Sequence, residues 1–100
     1  MGFFGTMRVI SQANNIIKRL EDCFLQIERN INSGNYSVAR VYCNEAAQKG
    51  REFLETVQQS NTAEMAVYKF RGYKFNVVQF AGFFHEALTS ADEILREKGY

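Results

Sequence analysis

Seven apolar residues, Ile10, Ala13, Ile17, Leu20, Phe24, Ile27 and Ile31, recur at spacings of three and four without a break. Nothing else in the chain restricts its fold so strongly. That spacing puts one apolar stripe on a helix, and the residues between are polar or charged: Arg8, Gln12, Lys18, Arg19, Glu21, Asp22, Glu28 and Arg29. A helix is predicted over about 5–32. Asn32-Ser33-Gly34-Asn35 should stop it, because glycine tolerates the left-handed conformation that follows a helix end.

The same period appears twice more. Ala39, Cys43, Ala46, Gly50, Phe53 and Val57 predict a helix over about 36–59, with Asn35 or Ser37 as its cap. Its small residues let a neighbouring helix approach or leave room for large rings. Ala66, Phe70, Tyr73, Val77, Phe80, Phe84, Ala87, Ala91 and Ile94 predict a third helix over about 62–97, capped by Thr62 and ended by Gly99. The stretch Tyr68–Phe80, YKFRGYKFNVVQF, also has strand character: Tyr, Phe and Val favour strands, and Gly72 weakens a helix by ~1 kcal/mol. Strict alternation fails at Gly72-Tyr73 while the helical period passes through, so the helix is the expectation, with a kink near Gly72 as its weak point.

Short polar turns between three amphipathic helices imply an all-α, antiparallel up-down-up three-helix bundle and a single domain over residues 1–100. At 1.5 Å per residue the third helix would span ~54 Å against ~42 Å for the first, and so would overhang it. A hydrophobic content of 46% argues against disorder. The absence of proline favours helices. A net charge of +1 advertises no nucleic-acid or membrane partner. There is no apolar run long enough to cross a bilayer, and the N-terminus lacks the pattern of a secretion signal. A reduced, cytoplasmic setting is expected.

On the expected third helix a second stripe, Tyr68, Gly72, Phe75, Gln79 and Gly82, lies opposite the main one, with Val78 and Phe83 on its flanks. A helix that is apolar on two sides is central to a larger assembly. Two readings follow. The rings lie under long side chains or inside the monomer, or Tyr68, Gly72, Phe75, Gln79, Gly82 and Phe83 form an interface with a second copy or another protein. A non-enzymatic interaction module, self-associating or docking a partner, is the expected function.

Alternatively, Lys69, Arg71 and Lys74 contact an anion while Tyr68 and Tyr73 stack on bases. Arg71-Gly72-Tyr73-Lys74-Phe75 resembles part of the RNP1 signature of RNA-recognition motifs, which implies a strand in a four-stranded sheet. The first residues offer a third reading. Met1-Gly2, Phe4, Ile10 and Ala13-Asn14 resemble the start of phage-shock protein A family members, which implies an amphipathic helix lying on a membrane. Phe3, Phe4, Met7 and Ile10 with Arg8, Lys18 and Arg19 suit interfacial binding within residues 3–20. In the competing reading they cover the overhanging end of the third helix. Met1-Gly2 through Thr6 also matches the myristoylation pattern formally, although Phe3 is a poor fit beside the acceptor glycine. Finally, Gly34-Asn35-Tyr36, Ala39, Tyr42 and Ala46, within residues 33–47, resemble a tetratricopeptide or MIT-type helical hairpin, families of protein-binding scaffolds.

No catalytic, metal or cofactor pattern stands out. His85-Glu86 lacks the second histidine of a metal site, and no glycine-rich phosphate loop occurs. Cys23 and Cys43 flank the 33–34 turn at similar distances, so an antiparallel hairpin would bring them level, either as a disulfide or as buried free thiols.

Overall fold

A computed structural model describes residues 2–100; Met1, part of the N-terminal resemblance and of the myristoylation pattern, lies outside the described residues. The chain is mostly helical. Helix α1 runs Phe3–Asn32, α2 Tyr36–Val57, the short α3 Asn61–Met65 and α4 Val77–Glu97. Between α3 and α4 stand two strands, β1 Val67–Phe70 and β2 Tyr73–Asn76.

The first stripe folds as its spacing requires. Ala13, Ile17, Leu20, Phe24 and Ile27 are buried along α1. Gly34 adopts φ +76°, and the Asn35 N–H reaches back to the Asn30 carbonyl at 2.7 Å. This closes α1 as a left-handed glycine can and turns the chain into α2. The helical hairpin implied by residues 33–47 is therefore present. Asn35 precedes α2 without a side-chain cap bond, and α2 ends at Val57 rather than 59. Ser60, not Thr62, caps α3 by accepting the Ala63 N–H.

The continuous third helix over 62–97 is not formed. Its first half is the antiparallel hairpin β1–β2, paired Val67↔Asn76, Tyr68↔Phe75, Lys69↔Lys74 and Phe70↔Tyr73. The two residues of the turn, Arg71 and Gly72, both have positive φ, +52° and +86°. That is the pattern of a tight two-residue hairpin whose twist matches its strands. Asn76 then starts α4 with a capping box: its side chain accepts the Gln79 N–H at 2.8 Å, and Gln79 Oε1 accepts the Asn76 N–H at 3.0 Å.

From there α4 runs back along α2. Phe80 meets Phe53 at 4.6 Å between ring centroids, Arg40 reaches Asp92 at 2.8 Å, and Tyr36 meets Tyr100 at 5.8 Å. The inner face of β1, Tyr68 and Phe70, packs on Phe53, Phe24 and Phe80. The hairpin thereby fills the space that an uninterrupted helix was expected to occupy. One core joins all these elements. Full burial of side chains such as Ile17, Leu20, Phe53 and Phe80 contributes roughly 1.5–3 kcal/mol each.

Cys23 and Cys43 are both buried free thiols. Cys23 Sγ donates to Glu45 Oε2 at 2.7 Å, and Arg19 binds the same carboxylate while also pairing with Asp22 at 2.8 Å. Burial first, and the Glu45 carboxylate second, push the Cys23 thiol up to about 12.

Candidate interaction surface

The hairpin separates residues that the helical stripe had grouped. Tyr68 leaves the surface altogether: it is 2% exposed and donates its hydroxyl to the Ala63 carbonyl at 2.6 Å. It is a core residue, not an interface or base-stacking ring, because residues alternate across a strand and position 68 faces inward with Phe70. Gly72 serves the turn. Gln79 is exposed, but its side-chain oxygen is engaged in the capping box. Gly82 is open on α4, with nothing within 4 Å of where a Cβ would stand.

Phe75 and Phe83 do come together. Their rings stack at 5.5 Å with 25° between planes, and Phe83 also touches Phe70 at 5.6 Å, which anchors the pair to the core. Tyr73 lies beside Phe75 at 6.4 Å. Tyr73 is 71% exposed and Phe83 37%. These three rings form an aromatic ledge from strand and helix. Among the described residues the sheet has two strands, so β2 has no strand on its far side. An aromatic ledge next to an unpaired strand edge offers backbone hydrogen bonds and apolar area to the same partner.

The opposite face of the hairpin is basic. Lys69 and Lys74 stand directly across from each other and are both exposed, while Arg71 at the turn approaches Glu28 at 3.6 Å. The RNP1-like residues thus occupy a turn and a strand, but in a two-stranded hairpin rather than a four-stranded sheet.

A cleft of about 340 Å³ between α2 and α4 is lined by Arg40, Cys43, Asn44, His85, Thr89 and Asp92, among others. Its charges are engaged: the Arg40 guanidinium holds Asp92 and the Tyr100 carbonyl, and lowers the Asp92 carboxyl below its ordinary range. Burial raises Cys43, which keeps that thiol protonated and a poor nucleophile. Among the described residues no group of three or more His, Cys, Asp or Glu is placed to hold a metal ion.

No protein-family profile matches this chain, and no curated protein or solved structure shows significant similarity to it. Its function has to be read from the chemistry of its surface. The stripe read from the sequence contains Phe75 and Phe83, which the structure stacks together, but not Tyr73, because a helix places position 73 in the core stripe. The signal that would have found it is the alternation on either side of Arg71-Gly72.

Proposed function

We propose that this chain is an interaction module that pairs with a second copy of itself through Tyr73, Phe75, Phe83 and the free edge of β2. The observation that carries the reading is the stacked Phe75–Phe83 pair beside a largely exposed Tyr73, next to a strand with one unpaired edge. Aromatic rings are enriched at interface cores, and a twofold contact must be self-complementary. A twofold contact of the ledge with its twin would set ring against ring, beside Lys74 on the β2 edge; the Asn76 N–H is already engaged by Gln79 Oε1. A net charge of +1 lets two copies approach without strong repulsion. In this reading the long helices are the up-down-up scaffold that holds the ledge rigid.

Light scattering over a concentration series tests it. The expected result is a dimer that Tyr73→Glu returns to monomer with an unchanged helical circular dichroism spectrum. A wild-type chain that stays monomeric at every concentration, or a Tyr73→Glu chain that stays dimeric, overturns it.

A further inference from the structure

The N-terminal end of α1 presents a second unpartnered surface, on a different part of the molecule. Phe3, Phe4 and Met7 are 72%, 82% and 52% exposed. With 30 residues against 22, α1 outruns α2 by about 12 Å. This projecting end is held from one side where the Thr6 and Ser60 hydroxyls meet at 3.4 Å. The two phenylalanines touch each other edge to face at 5.5 Å.

The apolar tip leads into a basic flank. Phe3, Met7, Ile10, Asn14 and Lys18 follow one another at spacings of three and four, and so share one face of α1. One shallow groove is lined by Met7, Ile10, Ser11, Asn14, Asn15 and Lys18. The next is lined by Asn14, Ile17, Lys18, Glu21, Lys69 and Gly72. They share Asn14 and Lys18, so a single surface runs from Met7 to the outer face of the hairpin. There Lys69 stands opposite Lys74. Like charges directly across a sheet are destabilising. Among the described residues, Lys18, Lys69 and Lys74 take part in no ion pair. Glu21 is the acid on this surface. Arg8 and Arg19 lie on another side of the helix, and Arg19 is engaged by Asp22 and Glu45.

Exposed rings at a tip, backed by lysines without acidic partners, match the two chemistries of an anionic bilayer surface. Its acyl boundary accepts apolar side chains, and its headgroups attract cations. We propose that the N-terminal end of α1 docks on an anionic lipid surface, with Phe3, Phe4 and Met7 entering the headgroup boundary and Lys18, Lys69 and Lys74 facing the anionic headgroups. None of the helices among the described residues is long and apolar enough to cross a membrane, so the contact is a surface one.

Sedimentation of the intact chain with vesicles tests the proposal. Binding is expected to phosphatidylcholine vesicles containing phosphatidylserine at low salt, and not to phosphatidylcholine alone. The pair Phe3→Ser and Phe4→Ser should release the protein with its helicity intact. The pair Lys69→Gln and Lys74→Gln should weaken binding roughly 30-fold, at about fivefold per lysine. A Phe4→Trp chain adds a second readout: its emission should shift to the blue and be quenched by acyl-brominated lipid on anionic vesicles. Several outcomes overturn the proposal: no binding to anionic vesicles at low salt, equal binding to neutral ones, or unchanged binding by both double variants. Salt-sensitive capture of polyuridylate without vesicle binding also overturns it and assigns the lysines to nucleic acid. Loss of an oligomer in Phe3→Ser/Phe4→Ser, with no vesicle binding by the wild type, overturns it in favour of a second copy.

Discussion

Gly50 and Phe84 show how one missing side chain shapes the packing of two helices. A Cβ at Gly50 would stand inside the space of the Phe84 ring. The ring cannot swing aside freely, because it stacks on Phe80 at 6.1 Å and meets Phe24 edge-on at 5.9 Å. Alanine would add ~1 kcal/mol of helix propensity, but overpacking of this kind costs about 1–3 kcal/mol. The overlap with the Phe84 ring is deep, so the cost falls at the upper end of that range and Gly50→Ala is expected to destabilise the fold by ~2 kcal/mol in urea unfolding. Phe84→Leu in the same chain should recover part of that loss. A Gly50→Ala chain as stable as the wild type would show that α4 does not pack here. The spacing of the second stripe placed Gly50 on the seam. Which ring fills it depends on where α4 starts, and the stripe does not carry that information.

The hairpin is the element on which sequence and structure part. A two-residue hairpin sets Phe70 beside Tyr73 and Tyr68 beside Phe75 on one face. Those offsets, three and seven, are the offsets that a helix also brings together. Periodicity alone cannot separate the two states here. What separates them is the turn: Arg71 and Gly72 both take positive φ, which an uninterrupted helix never uses. Asparagine adopts that conformation more readily than arginine, and Asn-Gly is a favoured pair for this turn. Arg71→Asn should therefore raise stability by about 0.5 kcal/mol, because the Arg71–Glu28 ion pair that it removes is exposed and worth little. Gly72→Val should lower it by roughly 1–3 kcal/mol through backbone strain. Thermal melts of the two variants that move the same way would mean that the turn is not of this type.

At the scale of the whole molecule, the ionisable groups define a pH range of stability. Glu45 is lowered by the hydrogen bond from Arg19 and then by that from Cys23, and Asp92 by the hydrogen bond from Arg40. A depressed carboxyl favours the fold while it is charged. That contribution is complete above the unfolded value near 4 and is lost as pH falls below it. Cys23 runs the other way. Its folded value of about 12 exceeds the unfolded one, so its contribution is complete below roughly pH 8.5 and declines as pH rises towards 12. Burial raises Tyr68 in the same direction. The melting temperature should be flat near neutral pH and fall on both sides, with a shallower alkaline limb in Cys23→Ala. An alkaline limb of unchanged slope in that variant would remove Cys23 from the account.

The sequence by itself determined α1, the turn at Gly34, the course of α2 and the buried face of each, because a long uninterrupted period of 3.6 has one low-energy solution and a left-handed glycine ends it. It also placed the aromatic residues that matter within Tyr68–Phe83. Tertiary structure decided which of those rings is core and which is surface. In Tyr68–Asn76, helix and hairpin share the same apolar offsets, and the local preferences differ by about 1 kcal/mol per residue or less. The strand preference of Tyr, Phe and Val offsets part of that difference, and burial of Tyr68 and Phe70 against Phe53, Phe24 and Phe80, roughly 1.5–3 kcal/mol each, tips the balance to the hairpin. Once the hairpin forms, Tyr73 and Phe75 extend the same aromatic face past the core, beside Phe83, and Lys69 and Lys74 face each other on the other side. Both surfaces proposed to bind something depend on that selection.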